Sequence, residues 1–433
     1  MTGQALAATA DPMSGVRGSA VFAVVLLTAM NLLNYIDRWV PSAVKPLFQK
    51  DLQLSDEQTS LPLTAFILVY MLASPLFGSL AERGRRPLLI AAGVAVWSLA
   101  TAAGALATGF YTFLIARALV GVGEAAYATI APTLIADHYE PQRRNRILTL
   151  FYVATPVGAA LGFTLGGYIG AQPEWGWRGA FVVCGIPGLI VAAIALLLKD
   201  PPRGRFDSEE ERKKMPPSWS EALASLRRNP RYLFTVAGYV GVSFAIGGIG
   251  DWFPTLLFRD RGFKLEDAGA IAGQATVVGG LIGTILGGII AEALVRRGVK
   301  EAYLWTSALS LIPALVLAVV ALYVAETRSA VLVSIALCQV FLWMYNGPIN
   351  ALLVNSVSPG MRARAFAVSI FCIHAFGDAL SPPIIGIVST MTGSLSLAIG
   401  LVLLALVVAV VIWAVAALRL GAAPPQAPAA PKS

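Results

Sequence analysis

SAVFAVVLLTAMNLLNYIDRWV, residues 19–40, is a continuous apolar run that carries Asn31, Asn34, Asp37 and Arg38 toward its far end. About 20 apolar residues suffice for a helix to cross a bilayer. The run is longer and more polar at its end than the core of a cleavable signal peptide, so it reads as a retained helix. Its apolar residues are unbroken rather than alternating, which favours a helix over a barrel strand. A charge near the middle of a spanning helix costs about 2.5–3.5 kcal/mol, so Asp37 and Arg38 are expected to face a protein cavity and partners.

Eleven further runs of this length follow, near 58–81, 86–107, 110–136, 144–171, 178–198, 231–257, 266–295, 300–324, 329–355, 361–391 and 394–418. The 433 residues are 57% hydrophobic and 13% charged, and the mean hydropathy is +0.72. Soluble domains carry about 25% charged residues. The expectation is an all-α membrane protein with twelve transmembrane helices.

Most of the 32 Lys and Arg residues fall in the leader, in alternate connections and in the tail. Cytoplasmic loops collect such residues, so both termini are expected in the cytoplasm. That asymmetry also accounts for the formal charge of +8 through topology and anionic lipid, without nucleic acid. Cys184, Cys338 and Cys372 lie singly in apolar runs and are expected as reduced packing residues. His138 and His374 are the only histidines, too few for a His-rich metal site. No cofactor is implied beyond a proton as coupling ion, and a monomer is expected.

One long polar connection divides six helices from six. The resulting organisation is a leader over 1–18, a six-helix bundle over 19–198, a cytoplasmic linker over 199–230, a second bundle over 231–418 and a disordered tail over 419–433. Within the linker, the acidic run Glu209 to Glu211 precedes Arg212, and residues 218–228 can form a short amphipathic surface helix. Two matches make the halves repeats in the same orientation: Gly78-x-x-Ala81-Glu82 against Gly288-x-x-Ala291-Glu292, and Pro141-x-x-Arg144-x-Arg146 against Pro359-x-x-Arg362-x-Arg364. This pattern resembles the major facilitator superfamily. Arg117 with Gly121-x-Gly123, Pro156-x-Gly158 and Trp175-x-Trp177-Arg178 add to the resemblance. Its loop between the second and third helices is here one residue short, Glu82-Arg83-Gly84-Arg85-Arg86. The resemblance implies a gate in which Glu82, Arg83 and Arg85 work with the acidic helix end at Asp137.

Arg117 and Glu124 are seven residues apart, two helical turns, and share a face with Gly121 between them. With the polar stripe of the first helix they form either a structural ion-pair network or a proton-linked switch in which the arginines and acids exchange partners. Buried pairs contribute little net stability, which favours the switch. An anionic head group on Arg38 or Arg117 would compete with the proton for those contacts.

Asn34-Tyr35-x-Asp37-Arg38, the stretch Val120-Gly121-x-Gly123-Glu124-Ala125-x-Tyr127 through Pro132, and His374-x-x-Gly377-Asp378-Ala379-x-Ser381-Pro382 resemble the spinster family of lipid transporters. That resemblance implies proton-linked movement of a lysolipid or a sphingosine 1-phosphate-like amphiphile by alternating access. It implies Asp37 as the leading protonation site with Glu124 as relay, and Arg38, Arg117, Asn34 and Tyr127 at the head group. The first of the three motifs is also similar to that of bacterial symporters for sugar acids, so proton-coupled transport of small organic anions is the alternative.

Among the remaining candidates, Asp251 near the end of the seventh helix is a gate residue or a solvated helix end. His374 and Asp378, four apart, pair locally or supply a substrate contact and a gate residue respectively. Asn346 and Asn350 flank Gly347-Pro348 and are candidate substrate contacts, because amides at membrane depth need partners. Gly-x-Ser-x-Gly, His-Glu-x-x-His and Walker patterns do not occur, which argues against an intramembrane enzyme and against direct use of ATP.

Overall fold

A computed structural model describes residues 12–206 and 218–422. Residues 1–11, 207–217 and 423–433 lie outside the described residues, and with them part of the expected leader, the acidic run of the linker and most of the tail. Among the described residues there is no strand.

The first half consists of α1 (Pro12–Ala43), a short α2 (Lys45–Asp51), α3 (Asp56–Arg83), α4 (Arg86–Gly104), α5 (Phe110–His138), α6 (Pro141–Ala171) and α7 (Gly176–Ala195). After the surface helix α8 (Trp219–Arg227), the second half has α9 (Pro230–Arg259), α10 (Leu265–Arg296), α11 (Ala302–Val319), α12 (Arg328–Trp343), α13 (Asn346–Asn355), α14 (Arg362–Ile373), α15 (Ser381–Thr392), α16 (Leu395–Val402) and α17 (Leu404–Ala422). These make 12 helical spans, from Ser19–Ala43 to Leu395–Ala422. The expected leader begins its helix already at Pro12, and the last helix runs past Arg419 to Ala422.

Local chemistry sets the ends. Ser55 and Gln58 form a reciprocal cap at the start of α3, Ser218 and Glu221 do the same for α8, and Asn229 caps α9 through the Tyr232 amide. Gly393 stops α15 at φ +69°, a conformation open to glycine. Four spans of the second half are interrupted, the last of them at Leu403 between α16 and α17. A five-residue π-turn, Val320–Val324, follows α11; the α12–α13 span breaks at Met344–Tyr345; and a π-turn at His374–Asp378 separates α14 from α15.

The two halves meet where α6 packs on α10, α3 on α15 and α1 on α9. At the first seam a Cβ on Gly167 would lie 2.9 Å from the Leu265 carbonyl oxygen, and one on Gly269 would lie 3.1 Å from the Gly167 Cα. Only glycine permits that approach. Successive spans alternate in direction, so the linker and helix ends such as Arg83 and His138 share one end of the molecule. Lys45, Asp56, Asp251 and Arg259 lie toward the opposite, far end.

Candidate functional site

Adjacent residues on a helix point about 100° apart, so Asp37 and Arg38 face different neighbours. Arg38 turns toward α3 and α5, where a terminal nitrogen donates to Glu124 at 2.6 Å. Its guanidinium lies 4.7 Å from the Tyr35 ring centroid, 5.0 Å from that of Phe66 and 5.5 Å from that of Tyr70. Arg117 approaches the Phe66 ring at 5.5 Å, so one ring touches both arginines. This arrangement follows from Gly121: a Cβ there would stand 3.0 Å from the Tyr70 amide nitrogen, so its absence lets α3 press its aromatic face onto α5.

Asp37 turns toward α4 and lies against Trp97 and Thr101. Among the described residues neither of its carboxylate oxygens has a hydrogen-bond partner, and it makes no ion pair. The expectation of an acid hydrogen-bonded to a guanidinium is therefore met by Glu124 and not by Asp37, because the one-residue step along α1 turns Asp37 away from Arg38 and leaves it only within electrostatic reach of Arg117. Asn34 is buried beside Glu124. Arg117 is buried, and both of its terminal nitrogens lack a partner among the described residues.

A small cavity bordered by Arg38, Ser42, Lys45, Arg117 and Asp251 connects this cluster to the far end. There Lys45 and Asp251 form a buried ion pair, and Ser42 donates to the same carboxylate at 2.7 Å. The Lys45 ammonium lies 4.0 Å from the Trp252 ring centroid. Burial pulls the Lys45 ammonium below its usual range, and the Asp251 carboxylate opposes that pull. Beside it Asp56 accepts both terminal nitrogens of Arg259, at 2.9 and 3.0 Å, and a bond from Ser389. Thr64 donates to the Ala379 carbonyl at 2.8 Å. Each of these contacts joins the first half to the second. Asp251 is thus an inter-half contact, and Lys45, Asp56 and Arg259 join it without having been singled out in the sequence, where they read as helix-end and loop charges.

The linker end differs. Arg86 is buried, donates to Asp137 at 2.5 Å and to Asp200 at 2.7 Å, and also reaches the Pro201 carbonyl. Glu82, Arg83 and Arg85 are exposed and make no ion pair among the described residues. The partner of Asp137 is Arg86 rather than Arg83 or Arg85. The shortened loop leaves Arg86 at the first turn of α4, facing the end of α5. Arg203 closes the loop by donating to the Ala81 and Gly84 carbonyls at 2.7 and 2.6 Å. Among the described residues no ion pair joins the two halves at this end.

Other expected contacts are taken up locally. The Tyr127 hydroxyl donates to the Leu27 carbonyl at 2.6 Å, so it ties α5 to α1 instead of facing a head group. His374 and both oxygens of Asp378 are 2.9 Å apart, a pair within one π-turn, so Asp378 bridges no gate to the other half. Asn350 donates to the Asn346 carbonyl and side-chain oxygens at 2.8 and 3.0 Å, and Asn346 reaches Thr284 at 3.4 Å. Across the midline the Tyr70 ring meets the His374 ring edge-on, with centroids 6.4 Å apart. In the second half Tyr239, Trp343 and Tyr345 form an aromatic group, with centroids 5.6 Å apart for Tyr239 and Tyr345 and 6.5 Å for Trp343 and Tyr345.

The cluster joins the acids Asp37 and Glu124 to Arg38 and Arg117, and Arg117 keeps terminal nitrogens that no described residue bonds. Residues 27–382 match the Major Facilitator Superfamily. The chain is 35% identical over 388 residues to Protein spinster homolog 1 of Xenopus laevis, covering 86% of this chain and 73% of that protein. It is 32% identical to the Sphingosine-1-phosphate transporter SPNS2 of Danio rerio, covering 84% and 75%. Among solved structures, a bacterial homolog to the human lysosomal transporter spinster, in an inward-facing and unoccupied conformation, superposes with a TM-score of 0.77 at 24% identity, covering 92% of this chain and 96% of that one.

Proposed function

From a chain that belongs to the major facilitator superfamily, and within it to the spinster relatives, and that is therefore a membrane transporter and not an enzyme, we propose transport of a single-chain anionic amphiphile by alternating access, coupled to protons. The amphiphile is a lysolipid or a sphingosine 1-phosphate-like molecule. The observation that carries this reading is Arg117: a buried guanidinium whose terminal nitrogens have no partner among the described residues, at a cavity that also borders Arg38 and Lys45. A phosphate there gains charge-assisted, bidentate hydrogen bonds. The aromatic group of Tyr239, Trp343 and Tyr345 in the second half suits an alkyl chain, and the name of the zebrafish relative gives the same substrate class.

In this proposal Asp37 carries the proton. Proton uptake there breaks no ion pair, whereas at Glu124 it must release Arg38. Glu124 relays the event by deciding whether Arg38 is free for the head group. Both parts of the site come from one chain, so a monomer is the transporting unit. The protein resides in the cytoplasmic membrane with both termini on the basic, cytoplasmic side, which makes the far end the outer face.

The test is flux through purified protein in liposomes with an imposed pH gradient, comparing a lysophospholipid with a sugar acid. Lysophospholipid flux that follows the gradient, and at least about tenfold weaker head-group binding in Arg117→Ala, are the expected outcomes, since a charge-assisted pair contributes about 1.5–3 kcal/mol. Gradient-driven sugar-acid flux without lipid flux would move the chain to the small-anion class.

A further inference from the structure

We infer that the second half holds a site for one hydrocarbon chain of an anionic bilayer phospholipid, separate from the central charged cluster. A cavity of about 70 Å³ lies among α9, α11, α12, α16 and α17, walled by residues such as Leu257, Ala321, Ile335, Leu342 and Leu403. That is several times the space of about 10–15 Å³ that one water needs, and it exceeds the voids of a well-packed interior, which rarely pass the size of a water molecule.

Two wall residues are strongly polar. Gln339 accepts from the Trp343 indole at 3.1 Å, which commits it to a neighbour one turn away. A water needs two to four polar partners, so this lining suits hydrocarbon instead. The second is Arg261, which follows α9 at the far end. Its terminal nitrogens donate to the Leu322 and Ala325 carbonyls, in and just after the π-turn Val320–Val324, while its buried Nε has no partner among the described residues.

The charge at this mouth is cationic. Arg328 is exposed, donates to the Gly262 carbonyl at 3.0 Å and lies 5.2 Å from the Phe263 ring centroid. Of the nearby acids, Asp260 is held by Ser396 and Arg259, and Glu326 points outward among exposed residues. Tyr323 and Val324, on the same π-turn, are exposed at 52% and 63% and mark the approach from the lipid. A phosphate at Arg261 and Arg328 would sit at interface depth with its chain directed into the cavity. The cavity shares no wall residue with Asp37, Arg38, Arg117 or Glu124. The occupant is accordingly a resident of the surrounding leaflet and not the cargo.

The test is photolabelling of the full chain in nanodiscs of phosphatidylcholine doped with a phosphatidylglycerol that bears a diazirine near the end of one acyl chain. Label on the peptide containing Ile335, Cys338 and Leu342, lost in Ala321→Trp, is expected. Arg261→Gln should keep tail labelling by the equivalent phosphatidylcholine probe but lose the preference for phosphatidylglycerol. Leu403→Phe, a milder filling of the same cavity, should lower the label in parallel if Ala321→Trp does not fold. Label confined to the outward residues Val333 and Leu337, or unchanged in both filled variants, would overturn the site. Label from a diazirine lysolipid cargo with none from phospholipid would overturn the assignment of its occupant.

Discussion

At the scale of single residues, neighbours in sequence have opposite fates. Asp37 and Arg38 stood out in the sequence because two charges at membrane depth need a reason. Which acid meets the guanidinium was not legible, since a residue string does not say how α1 is rotated against α4 and α5. The ion pair of Arg38 belongs to Glu124, 86 positions away. Two substitutions separate the roles. Asp37→Asn should abolish the response of transport to a pH gradient while cargo binding persists, measured by gradient-driven flux beside equilibrium binding. Glu124→Gln should free Arg38, tighten head-group binding and flatten the pH dependence of binding; an unaltered binding profile would remove Glu124 from the relay.

At the scale of elements, continuous apolar runs gave the twelve spans to within a few residues, and the linker segment 218–228 reads correctly as a short helix, α8. The interruptions were harder to see. A π-turn adds one residue to a helix without changing its composition, so His374 and Asp378 looked like an ordinary i, i+4 pair, and only Pro382 hinted at a break. The Trp175-x-Trp177-Arg178 signature acquires a role here. Arg178 and the Trp177 indole both donate to Asp51, tying α7 to α2. The hydrogen bond from Arg178 is the main cause that holds the Asp51 carboxyl below its usual range. A carboxyl lowered in the folded state adds stability above its unfolded pKa of about 3.9, and that stability is lost as pH falls through the lower folded value. Both side chains are nearly half exposed, at 43% and 47%, so solvent screening keeps the term below about 1 kcal/mol. Asp51→Asn should lower the melting temperature slightly at pH 7, and the difference from the parent protein should vanish below the folded pKa in a pH series of thermal melts.

At the scale of the whole molecule, the repeat motifs disclosed the two halves, but the contacts that fasten them were invisible. Lys45 and Asp251 stand 206 residues apart; Asp251 was legible as a candidate gate residue, but its partner Lys45 read as an ordinary charge near a helix end. Removing one partner of a buried pair costs about 3–5 kcal/mol, because it strands the other charge. Lys45→Met should therefore loosen the far-end contact and shift the population toward a state in which the linker ends approach. Lys45→Met combined with Asp251→Asn should recover part of that loss. Distances between spin labels at Arg83 and Arg297, in a background lacking Cys184, Cys338 and Cys372, read the shift directly; identical distributions in the parent and Lys45→Met would discount the pair as a latch.

The two far-end pairs are crossed in sign. The first half contributes the cation Lys45 and the anion Asp56, and the second half contributes the anion Asp251 and the cation Arg259. Parting them moves equal and opposite charges, so the opening step transfers almost no net charge through the transmembrane field, where one elementary charge is worth about 2.3 kcal/mol per 100 mV. Voltage sensitivity of the cycle then lies in charges outside this clasp, and the clasp itself works equally well in an energised or a depolarised membrane.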